Sequence, residues 1–307
     1  MMAAMFDSAA YDEFGLFHEN ASEYGLTLAE PPNVRREDVT LPDGRHVSAL
    51  VWGTGEPELV FVHGTAQNAH TWDTVALALR PHALVALDLP GHGRSSWRAD
   101  ASYDPRSLAD DIAAAIAVLA PNAKAVVGMS LGGLTSIALA VRHPELVRKL
   151  VIVDITPGTN REKAKAIVDF VNGPQSFPSF ADILARTVEH NPTRSESSLR
   201  RGILHNAHQL ADGSWEWRYD RAGRVGARDT ETMPRVDNVD YWNDVSALKV
   251  PVLLTRGGAS PVVDDDDIAE FLRRQPDTQV VVVEGAGHSI QGDRPLELAA
   301  LITTFAF

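Results

Sequence analysis

The sequence predicts an α/β protein in which helices cover both faces of a mainly parallel sheet. Short runs rich in valine, leucine and isoleucine alternate with longer segments of helical periodicity, a pattern typical of such sheets. The runs are apolar at consecutive positions, as expected of strands that are buried on both faces. The 307 residues suffice for one large domain with an insertion.

The predicted sheet has eight strands, of which the first is an outer strand. In chain order they lie at residues 36–41, 45–53, 58–64, 83–89, 124–130, 149–155, 250–257 and 279–285. Helices are predicted near residues 70–80, 107–120, 131–143, 264–274 and 294–305. These elements place the α/β core at residues 36–155 and 247–307.

Two further regions lie outside this core. The alternation stops between Thr156 and Ser246, a gap too long for an ordinary strand-to-helix connection, and helical patterns within it predict an inserted helical cap at residues 156–246. Residues 1–35 form an N-terminal arm that is rich in aromatic residues, which predicts packing against a lid or against a partner chain in a homodimer. These aromatic residues are Phe6, Tyr11, Phe14, Phe17 and Tyr24.

Composition excludes several classes of protein. A net charge of −13 disfavours nucleic acid and anionic membranes as partners. The chain has no cysteine, so disulfides, thiolate metal sites and cysteine nucleophiles are excluded. The first residues lack the basic region of a secretory signal, and no apolar run is long enough to span a membrane, which predicts a cytoplasmic protein. No phosphate loop, metal-ligand cluster or dinucleotide motif stands in a convincing context, so we expect no cofactor and no metal.

The stretch "VVGMSLGGL" places Ser130 between Gly128 and Gly132, after a strand and before a helix. A nucleophilic serine at such a junction sits in a tight, strained turn, where side chains two residues away on either side would clash. The N-terminus of the following helix directs free N–H groups toward developing negative charge. This pattern favours a nucleophile, although a glycine-rich helix start without chemistry fits the pentapeptide as well.

Two other loops supply the partners that a serine nucleophile needs. In "FVHGTAQNAHTW" the turn after a strand can offer the N–H of Thr65, or alternatively of Ala66, to an oxyanion, together with the N–H of Leu131. In "GAGHSIQGDRP" His288 follows the last strand, at the carboxyl end of the sheet where ligands bind in open α/β folds. A histidine there fits a general base, since the chain order is then serine, acid, histidine.

Taken together, these motifs resemble those of the α/β-hydrolase fold family with a helical cap. "HGTAQNAHTW", "DLPGHGRSS", "GMSLGG" and "GAGHS" stand in the order and spacing of that family, and the resemblance covers residues 36–307 apart from the cap. It implies a serine hydrolase with Ser130 and His288 as catalytic residues. His92 in "PGHG" belongs to a turn that the family uses structurally.

The third member of the triad departs from the family pattern. The loop after the seventh strand, where the family usually carries its acid, holds Ala259 and Ser260. Asp154, at the end of the sixth strand, resembles the acid of a subset of the family and is our preferred assignment. The alternative is one of the four carboxylates at 264–267, which capping of the following helix explains more simply.

The predicted function is hydrolysis of a carboxylic ester or lactone of small to medium size and largely apolar character, through an acyl-enzyme intermediate. Alternatives are a carbon–carbon bond hydrolase with the same triad, and a ligand receptor of the same fold with little turnover. Aromatic side chains of the cap are candidates for substrate contact, although aromatics at helical spacing usually pack the element that bears them. The candidates are Phe170, Trp215, Trp217 and Trp242.

Overall fold

An eight-stranded sheet forms the centre of the molecule. The computed structural model describes residues 11–220 and 238–307. Its strands are β1 (Val34–Thr40), β2 (His46–Trp52), β3 (Leu59–Val62), β4 (Leu84–Leu87), β5 (Ala125–Met129), β6 (Leu150–Val153), β7 (Ser176–Phe177), β8 (Ala207–Gln209), β9 (Trp215–Trp217), β10 (Val252–Gly257) and β11 (Gln279–Val283). The large sheet has the order β1-β2-β4-β3-β5-β6-β10-β11.

The helices flank this sheet and fill the insertion. They are α1 (Phe17–Glu23), α2 (Asp73–Ala78), α3 (Pro105–Leu119), α4 (Leu131–Arg142), α5 (Lys165–Val171), α6 (Phe180–His190), α7 (Glu196–Asn206), α8 (Asn238–Ala247), α9 (Asp265–Arg274), α10 (Ile290–Asp293) and α11 (Pro295–Ala306). Each of the five predicted core helices is present, and the predicted fold class is confirmed. Within the residues that the structure describes, no helix is both long enough and apolar enough to cross a bilayer.

Strand pairing follows the apolar pattern of the sequence. β2 pairs antiparallel with β1 and β4, whereas the pairs from β4 through β3, β5, β6 and β10 to β11 are parallel. On β3, Val60 and Val62 lie in the core on one face of the sheet, and Leu59 and Phe61 lie in the core on the other. Because alternate side chains point to opposite faces, a strand covered on both sides must be apolar throughout.

Between β6 and β10 the chain leaves the sheet. It forms α5, α6 and α7 together with a small antiparallel sheet of order β7-β9-β8. This segment has its own apolar cluster, which includes Phe177, Ile183, Ile203 and Trp217. The helical patterns did not predict the small sheet, because its strands are only two or three residues long.

α8 lies at the end of the predicted cap but packs with the core. It contacts α4 and α9, and Val245 is buried in the main core cluster. The predicted boundary at residue 246 therefore assigns to the cap a helix that the structure places on the sheet. The periodicity of a short helix does not specify which neighbour its apolar face contacts.

The N-terminal arm packs along its own chain. Phe17 of α1 is buried and its ring lies 4.8 Å from that of Trp52. Glu19 pairs with Arg200 at 2.9 Å, and Glu23 pairs with Arg201, so that α1 is joined to α7 of the insertion. The arm thus contacts both the core and the insertion, while Phe6 lies outside the described residues.

Candidate active site

Ser130 occupies a strained turn between β5 and α4. Its backbone has φ 52° and ψ −121°, a region that residues other than glycine rarely adopt. A Cβ atom added at Gly128 would lie 2.4 Å from the carbonyl oxygen of Gly132, and one added at Gly132 would lie 2.3 Å from that of Val62. Both positions therefore require glycine, for the steric reason that the sequence pattern indicates.

His288 and Asp154 meet at the carboxyl end of the sheet. Asp154 directly follows β6, is fully buried and has φ 50°, which turns its carboxylate toward the loop after β11. The Nδ1 atom of His288 lies 2.8 Å from Oδ2 of Asp154. The structure thus brings together two residues that are 134 positions apart in the chain.

Two groups, one at the end of β10 and one in the loop that follows, hold the Asp154 carboxylate. The backbone N–H of Gly257 donates to Oδ1 at 2.8 Å, and the hydroxyl of Ser260 donates to Oδ2 at 2.5 Å. Ser260 Oγ in turn accepts a hydrogen bond from the N–H of Val262 at 3.2 Å. A buried carboxylate that accepts several such hydrogen bonds is fixed in position.

The second nitrogen of His288 is not engaged by Asp154. Its Nε2 atom is buried and has no hydrogen-bond partner among the described residues. Ser130 and His288 line the same cavity, which has a volume of about 220 Å³. With Nδ1 engaged by Asp154, the unsatisfied Nε2 is the ring nitrogen that remains to exchange a proton in this cavity.

The four carboxylates at 264–267 serve α9 and its neighbours. Asp264 Oδ1 accepts from the N–H of Asp267 at 2.9 Å, while Asp267 Oδ2 accepts from the N–H of Asp264 at 3.1 Å. Lys163 lies 2.7 Å from Asp264 and 2.8 Å from Asp267, and its hydrogen bond lowers the pKa of Asp264. These contacts form a capping box and an ion pair, and His288 bonds to Asp154 instead.

The loop after β3 lies against the serine. A Cβ atom at Gly64 would be 3.0 Å from Cβ of Ser130, so glycine allows this close approach. The N–H of Gly64 donates to Oε1 of Gln67 at 3.1 Å, which ties the loop. Among the described residues, the N–H groups of Thr65 and Leu131 donate no hydrogen bond. Sequence patterns did not single out Gln67.

A second cavity opens on the other side of Ser130. It has a volume of about 280 Å³, and Thr65 and Leu131 line it together with Ser130. The rest of its lining comes from the segment between β4 and α3, the end of β6, the insertion and the loop before α9. The aliphatic residues of this part are Ile155, Ala164, Ile167, Val168, Val171 and Val262, and its polar and aromatic residues are His92, Tyr103, Thr159, Asn172, Tyr219 and Asp220.

The predicted aromatic contacts divide into two groups. Phe170 lines the cavity of Ser130 and His288, and both Phe170 and Trp217 line a neighbouring cavity of about 150 Å³. Trp215 instead packs edge-on against Phe180 within the insertion. Trp242 packs against Phe271 of α9 in the core. Trp215 and Trp242 therefore pack against neighbouring elements and line none of these cavities, so their contact with substrate stays a prediction.

Two buried histidines near the site have structural contacts. His63 donates from Nδ1 to the carbonyl of Gly64 at 2.7 Å and accepts at Nε2 from the N–H of Leu89 at 2.9 Å. Burial lowers the pKa of His63, which keeps the ring neutral in this arrangement. His92 is buried beside the carbonyl of Pro90, as its place in a structural turn predicts.

A cluster of His70, Asp73 and His205 lies beside the neighbouring cavity. The two imidazole rings stack with their centroids 3.7 Å apart and their planes within 8° of parallel. Because the nitrogen lone pairs lie in the ring planes, two stacked parallel rings do not converge on one ion. We therefore assign no metal to this cluster, which instead connects Glu13 and Tyr11 of the arm to the core and to α7.

Fold and site together define a hydrolase-type α/β architecture, with the turn that holds Ser130 between β5 and α4. The alpha/beta hydrolase fold family model matches residues 57–295, and the chain belongs to that family. It is 43% identical to the esterase Rv0045c of Mycobacterium tuberculosis over 298 residues, which cover 95% of this chain and 94% of that protein.

Solved structures agree with this family membership. A structure of the M. tuberculosis esterase superposes with a TM-score of 0.84 and 41% identity, covering 96% of this chain and 98% of that one. The 2-(acetamidomethylene)succinate hydrolase of Mesorhizobium japonicum is 31% identical over 255 residues, covering 82% of this chain and 88% of that protein. A structure of E-2-(acetamidomethylene)succinate hydrolase superposes with a TM-score of 0.77 at 26% identity, covering 89% of this chain and 99% of that one.

Proposed function

We propose that the chain is a serine hydrolase that cleaves carboxylic ester or lactone bonds of small to medium substrates. The observation that carries the proposal is the contact between His288 Nδ1 and Asp154 Oδ2, with the free Nε2 in the cavity that Ser130 lines. The esterase name of the M. tuberculosis relative, which matches nearly the whole chain, supports the same reaction.

In the proposed mechanism, Ser130 Oγ attacks the substrate carbonyl while its proton passes to Nε2 of His288. Asp154 accepts a hydrogen bond from Nδ1 and stabilises the imidazolium that forms. The N–H groups of Thr65 and Leu131 receive the oxyanion. The imidazolium then protonates the leaving alcohol, and water activated by the same histidine releases the acid and restores Ser130.

We further propose that residues 156–246 act as a cap over the nucleophile, with the qualification that α8 packs on the core. Three residues of α5 line these cavities. Ile167 and Val171 line both cavities beside Ser130, and Phe170 lines the one that also holds His288. The mostly apolar cavity beside Leu131 suits the hydrocarbon part of a substrate. Its volume of about 280 Å³ favours short to medium chains.

The test is turnover of a p-nitrophenyl ester series with acyl chains of increasing length. We expect steady turnover that Ser130→Ala and His288→Ala each remove almost completely, and covalent labelling of Ser130 by a fluorophosphonate. Ser246→Ala is the matched control, because Ser246 is exposed on α8 and lines none of the cavities beside Ser130.

Other outcomes would identify the two alternatives. A stoichiometric burst without further turnover would contradict the enzyme proposal and indicate a ligand receptor. Hydrolysis of a vinylogous diketone without ester turnover would indicate carbon–carbon bond cleavage. The receptor alternative depended on the missing carboxylate at Ala259 and Ser260, and the contact of Asp154 with His288 removes that argument.

A further inference from the structure

Arg194 lies where two cavities meet. It precedes α7 in the insertion and lines both the cavity that holds Ser130 and His288 and the neighbouring cavity of about 150 Å³. Gln67 and Ser289 line the same two cavities. A group that extends from the nucleophile toward the neighbouring cavity therefore passes the guanidinium.

The guanidinium of Arg194 has few partners. Its Nη2 donates to Ser198 Oγ at 2.6 Å, while its Nε is buried and has no acceptor among the described residues. Within that part of the chain, no carboxylate lies within ion-pair distance of it. Burial lowers the pKa of Arg194 below its ordinary value, although an arginine remains charged.

The other cations near these cavities are already neutralised. Lys163, which lines the cavity of Ser130, contacts the carboxylates of Asp264 and Asp267. Arg201, which lines the neighbouring cavity, pairs with Glu23. Arg194 thus differs from both in having no anion in contact among the described residues.

The nearest acidic side chain in the same cavity is committed elsewhere. Asp293 accepts from the N–H of Gly287 at 2.8 Å and from Thr193 Oγ1 at 3.4 Å, and it makes no ion pair with Arg194. A charge removed from water is costly unless it is paired and hydrogen-bonded. Asp293 and Glu23 favour the charged form of Arg194 from a distance, but no carboxylate of the described residues contacts the guanidinium, so a ligand can supply that contact.

We propose that Arg194 binds a carboxylate of the substrate, so that the preferred esters carry a carboxylate remote from the scissile bond. The inference deepens the proposed function and rests on it. The guanidinium carries a single positive charge and Asp293 lines the same cavity, so a monoanionic carboxylate fits there better than a dianionic phosphate. The planar guanidinium also matches the two oxygens of a carboxylate. The substrate then joins an apolar part to one anionic end.

Matched methyl esters of dicarboxylic acids test this inference. Monomethyl glutarate, adipate and pimelate retain one carboxylate, whereas the dimethyl esters are neutral and otherwise alike. We expect kcat/KM to favour the monomethyl ester at one or more of these chain lengths. Arg194→Gln should reduce the ratio of the two kcat/KM values by roughly 10- to 100-fold, the value of a buried hydrogen bond to a charged group.

Three comparisons make the result specific. Arg194→Lys keeps the positive charge but loses the planar pair of N–H donors, so it should retain part of the preference for the anionic ester. Arg273→Gln removes one positive charge from the exposed face of α9 and should keep the wild-type ratio. The methyl ester of 4-phosphonobutyric acid tests the type of anion, and a stronger preference for it than for monomethyl glutarate would overturn the carboxylate assignment.

Binding to an inactive protein separates this inference from the proposed function. Calorimetry with Ser130→Ala should show binding of monomethyl glutarate that is lost when Arg194→Gln is added. If Ser130-dependent ester turnover occurs without any preference for the anionic ester, the inference fails and the proposed function stands. If the anion binds through Arg194 but no ester is hydrolysed, the proposed function fails. A ratio unchanged in Arg194→Gln also overturns the inference.

Discussion

Ser260 Oγ donates a 2.5 Å hydrogen bond to Oδ2 of Asp154, the same oxygen that contacts His288 Nδ1. In the proposed triad the loop after β10 still contributes, although it carries a hydroxyl where the family usually has its acid. The proposed acid lies at the end of β6, and Ser260 holds its carboxylate. In this arrangement Ser260 is a positioning residue, since it reaches His288 through Asp154.

Ser260→Ala should lower kcat by about 10- to 100-fold, because the mutation removes a hydrogen bond to a buried charged group that orients the histidine. KM should change little, since Pro261 and Val262 line the cavity and Ser260 does not. Steady-state kinetics of p-nitrophenyl esters would measure both parameters. Ser260→Thr retains a hydroxyl and should recover part of the loss; a variant with reduced KM and kcat alike would argue for a general structural role.

Asp154→Asn should lower kcat by a factor on the order of 10⁴, as the corresponding change does in a well-studied Ser–His–Asp protease, because the amide favours the wrong histidine tautomer. Asp264→Asn should leave kcat close to that of the wild type, since Asp264 caps α9 and pairs with Lys163. The two variants are compared by kcat with matched thermal unfolding curves. The reverse order of effects would assign the acid to the start of α9.

Gly128→Ala should destabilise the protein by about 1–3 kcal/mol, because its Cβ atom would overlap the carbonyl of Gly132 and force the nucleophile turn to shift. Gly202→Ala is the contrasting change, since no atom lies within 4 Å of a Cβ atom placed there, in the interior of α7. It should stabilise by about 0.5–1 kcal/mol. Urea unfolding of both variants measures the difference, and equal effects would contradict the packing argument.

The stability of the protein should fall as pH rises from about 6.5 to about 9 because of His70. Burial alone would lower its pKa, but contacts with Asp73 at 2.9 Å and Glu13 at 3.1 Å raise the pKa to about 9. Arg36 and the stacked His205 also face this group. The protonated form is favoured in the folded state, so its contribution is fully present below the unfolded pKa and lost as pH rises through 9.

The expected loss is on the order of 3 kcal/mol, which urea unfolding at several values of pH from 6 to 10 would measure. His70→Gln should flatten the curve over this interval. His18→Gln, at an exposed position of α1, should retain the wild-type slope. Identical slopes for wild type and His70→Gln would show that the Asp73 and Glu13 contacts do not hold the proton.

Local patterns predict the sheet, its flanking helices and the turn that holds Ser130, because each depends on interactions between residues that are close in sequence. The steric requirement for Gly128 and Gly132 is of this kind, and so are the apolar strands. The contact of Asp154 with His288 depended on a resemblance to a known family, since nothing in the residues around Asp154 states which distant side chain its carboxylate meets.

Contacts within the insertion could not be predicted in the same way. The sequence around Arg194 predicts only the polar start of a helix. The position of its side chain beside the cavity depends on how α7 packs on the rest of the fold. Trp242 is a second example. The sequence places it in the predicted cap as a candidate for substrate contact, whereas its ring packs against Phe271 of α9. In both cases the partner is remote in sequence, so periodicity alone carries no information on it.

Helix α1 lies before residue 57, where the match to the family begins, yet its Glu19 and Glu23 fasten α7 through Arg200 and Arg201. The acidic residues of the ion pairs that join α1 to α7 thus lie in a part of the chain outside the family match. A shortened version of this protein that begins at Val34 would keep all eight strands of the large sheet and the residues of the proposed triad, and would lose these ion pairs.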